Sequence, residues 1–194
     1  FFDKKELILN KKEIPMIGGL IIFLSLFFLL IFMKSSFNIY FVIIIFSSLF
    51  IVLGIFDDIF EIHPFLRIGI QIFLIFLSLI LLKDYYFTSN NIIFFLNLKS
   101  LLFAFILLFI LTSINAFNFI DGSDGLSSGI VISSILSFLF MFSDLNLYTN
   151  YVFYSVFILI LLYFILFNFG LFNIKIYLGN SGSIFLGFII PTLF

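Results

Sequence analysis

Several residue types are scarce in this chain, and each scarcity excludes a class of protein or site. The chain has no cysteine, no tryptophan and one histidine, with nine basic and ten acidic residues among 194. Without cysteine it has no disulfide bond, no thiolate metal site and no cysteine nucleophile. The single histidine, His63, excludes a multi-histidine metal site within this sequence. Soluble globular domains carry about 25% charged residues, whereas this chain carries 10%, so its composition excludes that class.

Apolar residues are abundant instead, at 64% of the chain with 35 phenylalanines. A membrane-spanning helix needs about 20 mostly apolar residues. The apolar runs are 16–33, 37–56, 66–82, 101–119, 126–142 and 151–169, with a partial one from 183. Because backbone polar groups cannot stay unpaired in lipid, these runs predict helices. We predict an all-α, polytopic transmembrane helical bundle of about six full spans plus a partial seventh. It forms one domain over 1–194, which we expect to be incomplete at both ends.

The polar stretches between the runs share one side of the predicted membrane. The unusual stretches are 3–15, 57–65, 118–125 and 173–182, and two spans separate each from the next. Basic residues favour this side, with six on it and three on the other: Lys4, Lys5, Lys11, Lys12, Arg67 and Lys175 against Lys34, Lys83 and Lys99. The positive-inside rule then places these stretches in the cytoplasm. We expect a multi-pass protein of the cell inner (cytoplasmic) membrane.

Four of the ten acidic residues lie in two clusters at the ends of apolar runs, namely Asp57-Asp58 and Asp121 with Asp124. Carboxylates are costly near hydrocarbon, so they indicate function by default. Hard oxygen ligands beside glycine turns predict a magnesium-assisted phosphate site. Two simpler interpretations stay open at this point. Asp57-Asp58 could merely end a span in water, and Asp124 could cap a helix that starts near Leu126.

Amides, small residues and lysines accompany the carboxylates. Asn115 and Asn118 lie one helical turn apart and share a face. The stretch Leu178-Gly-Asn-Ser-Gly-Ser183 could offer hydrogen-bond donors to a phosphate at a helix N-terminus, although Gly-Asn-Ser-Gly is also an ordinary turn. Lys12 precedes a Gly18-Gly19 helix start, and Arg67 follows the first acidic cluster as a candidate phosphate contact.

Four motifs in this order resemble those of the polyprenyl-phosphate N-acetylhexosamine-1-phosphate transferases (glycosyl transferase family 4, the group that contains MraY and WecA). Pro15 to Gly19 resembles the P-x-x-GG element of that family, and Gly54-x-x-Asp57-Asp58 resembles its G-x-x-DD block. Asn115-Ala-Phe-Asn-Phe-Ile-Asp-Gly-Ser-Asp-Gly-Leu126 is similar to its N-A-x-N-x-x-D-G-x-D-G-L signature. Leu178 to Ser183 corresponds to its G-D-x-G-S element. The spelling Asn-Ala-Phe-Asn favours the WecA-like branch over the MraY-like branch.

The resemblance implies transfer of a sugar-1-phosphate from a UDP-N-acetylamino sugar, such as UDP-N-acetylglucosamine, to undecaprenyl or another polyprenyl phosphate. UMP would be released, and Mg²⁺ (or Mn²⁺) required. Such a reaction starts a lipid-linked cell-envelope glycan, as in cell wall or lipopolysaccharide O-antigen biosynthesis. We expect direct attack by the lipid phosphate, with Asp57 or Asp58 assisting its deprotonation. A homodimer is a further expectation, and no nucleic acid is expected as a partner.

The same resemblance implies roles for individual residues. The expected catalytic residues are Asp57, Asp58, Asp121 and Asp124. The expected substrate-binding residues are Asn115, Asn118, Arg67, Lys12, Gly179, Ser181, Gly182 and Ser183. The expected metal ligands are Asp57, Asp58, Asp124 and Asn180.

One departure from the family pattern leaves alternatives open. Asn180 stands where the family usually has Asp, so the metal affinity should fall or activity could be lost. A catalytically impaired relative is therefore one alternative. An intramembrane Mg-dependent prenyltransferase is another, although such sites favour Asp repeats within helices. A transporter would carry its carboxylates near the middle of the spans, whereas here they lie at one boundary.

Overall fold

The computed structural model describes residues 15–32, 37–82, 96–141, 148–171 and 174–193. These ranges form α-helices and no β-strand, which confirms the all-α prediction. The helices are α1 (Gly18–Phe32), α2 (Phe37–Phe60), α3 (Pro64–Leu81), α4 (Leu96–Ile120), α5 (Leu126–Met141), α6 (Tyr148–Asn168) and α7 (Gly179–Leu193). Each corresponds to one predicted apolar run. The ends differ where polar residues continue a helix, because α2 includes Asp57-Asp58 in its last turn and α7 begins at Gly179 instead of 183.

Four of these helices, α2, α3, α4 and α6, are long and apolar enough to cross a membrane by length and composition. The apolar helices α1, α5 and α7 are shorter, at 15 or 16 residues. Large apolar side chains point outward along the bundle, among them Phe28, Phe73 and Phe105. An apolar outer surface of this extent is unusual for a soluble protein and fits lipid, so the chain is a membrane protein.

Helix α7 lies at the centre of the described bundle. Twelve of its fifteen residues are buried, and it packs against α1, α2 and α4. Helix α3 packs on α2 and α4, and α6 packs on α1 and α5. Phe188 of α7 contacts Phe50 of α2, with ring centroids 4.5 Å apart. Because its neighbours cover it on all these sides, α7 determines where their polar ends meet.

Candidate functional site at the polar end of the bundle

The polar stretches converge at one end of the bundle, as their alternation along the chain predicts. At this end lie the last turns of α2, α4 and α6 and the first turns of α1, α3, α5 and α7. Hydrogen bonds join α2 to the start of α7, and others join the loop after α6 to the start of α1. Of the first polar stretch only Pro15 is described, and the predicted substrate residue Lys12 lies outside the described residues.

Asp57 is buried, with 5% of its surface exposed, and it receives two side-chain donors. Arg67 Nη1 donates to Asp57 Oδ2 at 2.8 Å, and Asn180 Nδ2 donates to the same oxygen at 3.1 Å. A buried charge is strongly destabilising without a partner, so the guanidinium is what permits this carboxylate. Arg67 Nε is buried and has no partner among the described residues. The structure thus brings together three predicted site residues from α2, α3 and α7.

Asp58 contacts the first turn of α7. Its Oδ1 accepts from the Asn180 backbone N–H at 3.2 Å, and its Oδ2 accepts from that of Ser181 at 3.4 Å. The first backbone N–H groups of a helix lack partners within the helix, and a carboxylate satisfies them and the helix dipole. The N-terminus of α7, predicted as a phosphate site, is therefore bound by a carboxylate of the protein in this structure.

Asp121 follows directly on α4, in the turn before α5. Burial, and then the negative charge of Asp58, raise the pKa of the Asp121 carboxyl from 3.8 to about 8. Two of the predicted catalytic carboxylates, one in the last turn of α2 and one in the turn after α4, therefore repel each other electrostatically. Either a proton or a cation relieves this repulsion.

Asp124 is more exposed and forms an ion pair. Lys175 Nζ lies 2.8 Å from Asp124 Oδ2, and this hydrogen bond raises the pKa of the Lys175 ammonium above its ordinary value. Lys175 also lies over the ring of Tyr177, 4.8 Å from its centroid. Asp124, predicted as a metal ligand, therefore has a lysine as its partner in this structure.

The two amides of α4 contact different neighbours. Asn115 Nδ2 donates to the Leu111 carbonyl at 2.8 Å and to Gln71 Oε1 at 3.1 Å. Asn118 Oδ1 accepts from Ser183 Oγ of α7 at 3.0 Å. Both asparagines are half-buried, so each keeps part of its surface available at the polar end.

The small residues of α7 are buried by helix packing. Gly179, Ser181, Gly182 and Ser183, all predicted to bind substrate, are buried. A methyl group on Gly19 of α1 would collide with the backbone of Gly182, and one on Gly54 of α2 would collide with that of Ser181. Small residues allow such close approach of helices in membranes. Their predicted contact with substrate stays a prediction, whereas their packing role is visible.

Asn168 and Lys175 belong to this end of the bundle but were not among the predicted site residues. Asn168, the last residue of α6, is buried. Its Oδ1 accepts from the Gly125 N–H at 2.5 Å, and its Nδ2 donates to the Ile176 carbonyl at 2.9 Å. It therefore holds the 121–125 turn beside the loop that leads to α7. The sequence feature that could have indicated Asn168 is a single amide side chain at the end of an apolar run.

The donor set suits a hard cation without forming a complete cage for one. Within residues 15–32, 37–82, 96–141, 148–171 and 174–193, no three Asp, Glu, His or Cys side chains lie close enough together to hold a metal ion. The donors at this end are carboxylate, amide and hydroxyl oxygens, which Mg²⁺ prefers. Mg²⁺ is usually bound through one or two carboxylates together with substrate phosphates. Asp58 and Asp121, which repel each other without a cation, fit that mode of binding.

Comparison with known proteins agrees with this geometry. A family model described as "Glycosyl transferase family 4" matches residues 40–194, most of the chain and all three acidic or amide-rich motifs from Gly54 onward. No curated protein matches the chain.

Proposed function

The chain belongs to glycosyl transferase family 4, and from that premise we propose that it transfers a sugar-1-phosphate from a UDP-N-acetylamino sugar to undecaprenyl or another polyprenyl phosphate. Membership in the family supports a phospho-sugar transferase acting on a polyprenyl phosphate in general terms. The identity of the nucleotide, the identity of the amino sugar and the length of the lipid are what we propose beyond this general activity.

One observation carries the proposal: carboxylates, amides and an arginine meet at the polar end of a bundle whose outer surface is apolar. Asp57 is in direct contact there with Arg67 and Asn180. Asp58 accepts from the Asn180 backbone N–H, and its negative charge acts on Asp121. A lipid phosphate has its tail in the bilayer and its headgroup at the boundary, while a nucleotide sugar arrives from water. A site at this boundary is within reach of both substrates.

The proposed reaction is a direct displacement at phosphorus. An oxygen of the lipid phosphate attacks the β-phosphorus of the UDP-sugar. The bond from that phosphorus to the bridging oxygen breaks, and UMP leaves with the electron pair. A phosphate monoester has its second pKa near 6, so at neutral pH the lipid phosphate is largely ionised. Deprotonation by Asp57 or Asp58 therefore adds less than charge neutralisation does.

Arg67 is the side chain best placed to supply part of that neutralisation. Its Nη1 contacts Asp57 at 2.8 Å, while its Nε has no partner among the described residues. Asp57 then serves to orient the guanidinium, and Asn180 holds Asp57 from the other helix. Arginine is suited to this role because its planar fork binds carboxylate and phosphate together.

Magnesium completes the proposal. When bound, Mg²⁺ would neutralise charge on the reacting phosphates. Asp58 and Asp121 are the residues of this chain that we propose hold it, with Asp57, Asp124 and Asn180 as the further ligands predicted from the motifs. In the structure Asp57 and Asp124 contact the cationic side chains of Arg67 and Lys175, whereas Asp58 accepts from backbone N–H groups of α7 and keeps further lone pairs for a cation. Asn180 contacts Asp57 through its nitrogen, so its oxygen is the atom that would bind the ion.

The distribution of basic residues and the spelling of the motifs support a proposal for the cellular setting. The lysine and arginine distribution supports a cytoplasmic position for the polar end and a location in the inner membrane. A lipid-linked cell-envelope glycan would be the product, and the Asn-Ala-Phe-Asn spelling supports the WecA-like branch. A homodimer remains part of the proposal.

A catalytically impaired relative is the second candidate, and the observation that favours it is Asn180. Its amide binds Asp57 without charge, where the family pattern has a carboxylate. The prenyltransferase and transporter alternatives lose support, because the chain belongs to a glycosyl transferase family.

The test is product analysis with purified protein in detergent. UMP should be released from a UDP-N-acetylamino sugar only when polyprenyl phosphate and Mg²⁺ are both present. Release without Mg²⁺ would contradict the proposed mechanism. No release with any UDP-sugar, from protein that elutes as a folded species, would support the impaired relative.

A further inference from the structure

The amide of Asn115 has both of its hydrogens engaged inside the protein. One hydrogen of Nδ2 goes to the Leu111 carbonyl at 2.8 Å, and the other goes to Gln71 Oε1 at 3.1 Å. An amide nitrogen carries two hydrogens and no more. The half-buried Asn115 side chain therefore has only its oxygen, Oδ1, left to offer to a ligand.

The orientation of this amide follows from the backbone. A carbonyl oxygen only accepts, so the nitrogen of Asn115, not its oxygen, must face Leu111. With that nitrogen fixed, Gln71 must turn its oxygen towards Asn115. The consequence is that Gln71 Nε2 is fully buried and has no partner among the described residues. A buried donor without a partner is costly, yet the arrangement of Asn115 requires it.

We propose that Asn115 Oδ1 accepts a hydrogen bond from a hydroxyl or amide N–H of the nucleotide sugar, and that Gln71 is a positioning residue that, together with the Leu111 carbonyl, holds the amide in this orientation. The assignment rests on the function proposed above. A phosphate oxygen is itself an acceptor, so Asn115 Oδ1 does not bind it. An ionised lipid phosphate has no hydrogen to donate, whereas the sugar, its acetamido group and the ribose all do. Asn115 therefore contacts the UDP-sugar and contributes to its selection.

The experiment compares UDP-N-acetylglucosamine with analogues that each lack one hydroxyl of the sugar or ribose, or the amide N–H. For each enzyme variant the ratio of kcat/KM between parent and analogue is measured. In the wild type, kcat/KM for one analogue should be lower than that for the parent by about fivefold or more, which is the effect of one hydrogen bond. In Asn115→Leu, kcat/KM should be the same for that analogue and for the parent substrate.

Asn115→Asp separates the proposed role from a phosphate contact. A carboxylate at 115 still accepts, and the Gln71 amide can turn over so that its Nε2 donates to the new oxygen. The discrimination ratio should therefore persist in Asn115→Asp, whatever the absolute rate. In Asn115→Asp combined with Gln71→Leu, the ratio should fall, since the half-buried carboxylate loses its donor. A phosphate contact predicts instead that Asn115→Asp raises KM alike for parent and analogues.

Gln71→Met is a second variant that leaves Asn115 in place. It frees one amide hydrogen of Asn115, so the discrimination ratio should fall while the KM for polyprenyl phosphate stays within about twofold. An active wild type that shows the same ratios as Asn115→Leu for all analogues would overturn the proposal, as would unchanged ratios in Gln71→Met. A wild type inactive with every UDP-sugar would instead contradict the proposed function.

Discussion

Asn180 shows how one residue changes the charge of this site. Its Nδ2 and Arg67 Nη1 both donate to Asp57 Oδ2, at 3.1 and 2.8 Å. An aspartate in its place would set a second carboxylate against Asp57, and two adjacent carboxylates favour a bound cation. The asparagine thus places a neutral hydrogen-bond donor where an aspartate would attract a metal ion.

Asn180→Asp should therefore strengthen Mg²⁺ binding at this position. The Mg²⁺ concentration that gives half-maximal activity should fall about tenfold, equivalent to about 1.4 kcal/mol of binding free energy. The melting temperature of the variant should rise with added Mg²⁺ more than that of the wild type. Leu171→Asp, which adds a carboxylate at an exposed position just after α6, is the matched control. Identical Mg²⁺ titrations for wild type and Asn180→Asp would show that residue 180 is no ligand.

Helix α7 shows how one element defines the geometry of the site. Gly179 at its start adopts φ +75, a conformation that favours glycine, and lies beside Asp58. One turn on, Gly182 packs against Gly19 of α1. The first N–H groups of α1 donate in turn to the carbonyls of Tyr177 and Leu178. Any shift of α7 therefore moves Asn180 relative to Asp57 and Asp58.

Gly182→Ala should accordingly destabilise the protein, because a side chain there meets Leu178 and the backbone of Gly19. Overpacking of this kind costs about 1–3 kcal/mol. Gly69→Ala on α3 is the matched control, since no atom lies within 4 Å of an added methyl group there. It should be neutral or stabilising by up to about 1 kcal/mol, as alanine is the better helix former. Equal melting temperatures in detergent for the two variants would contradict the packing described for α7.

At the scale of the whole molecule, the apolar runs and the order of the polar stretches predict the helices and their common polar end but not their packing. The apolar runs identify each of the seven helices in the described part of the chain, because lipid requires paired backbone groups. Counting two spans between polar stretches brings Asp57, Asp121 and Asn180 to one end. The central position of α7 and the contacts of Gln71 and Asn168 were not predictable, because they depend on side chains 8 to 44 residues apart in sequence.

The polar end should face the cytoplasm, and the lack of native cysteine makes this testable with single introduced thiols. Phe60→Cys and Gly122→Cys lie at exposed positions of the polar end, and Met141→Cys lies at the exposed far end of α5. A membrane-impermeant thiol reagent applied to inverted vesicles should label the first two variants and leave the third unlabelled. Labelling of Met141→Cys together with either of the others would contradict the alternation of the helices across the membrane.

The central claim is that a phosphorus atom moves with the sugar from nucleotide to lipid. The direct measurement uses a UDP-N-acetylamino sugar radiolabelled at its β-phosphorus, with polyprenyl phosphate, Mg²⁺ and the purified protein. Attack at the β-phosphorus predicts that the label passes into the organic, lipid-containing phase while unlabelled UMP is released. Label that stays in the aqueous phase as UDP, with sugar alone on the lipid, would contradict the account.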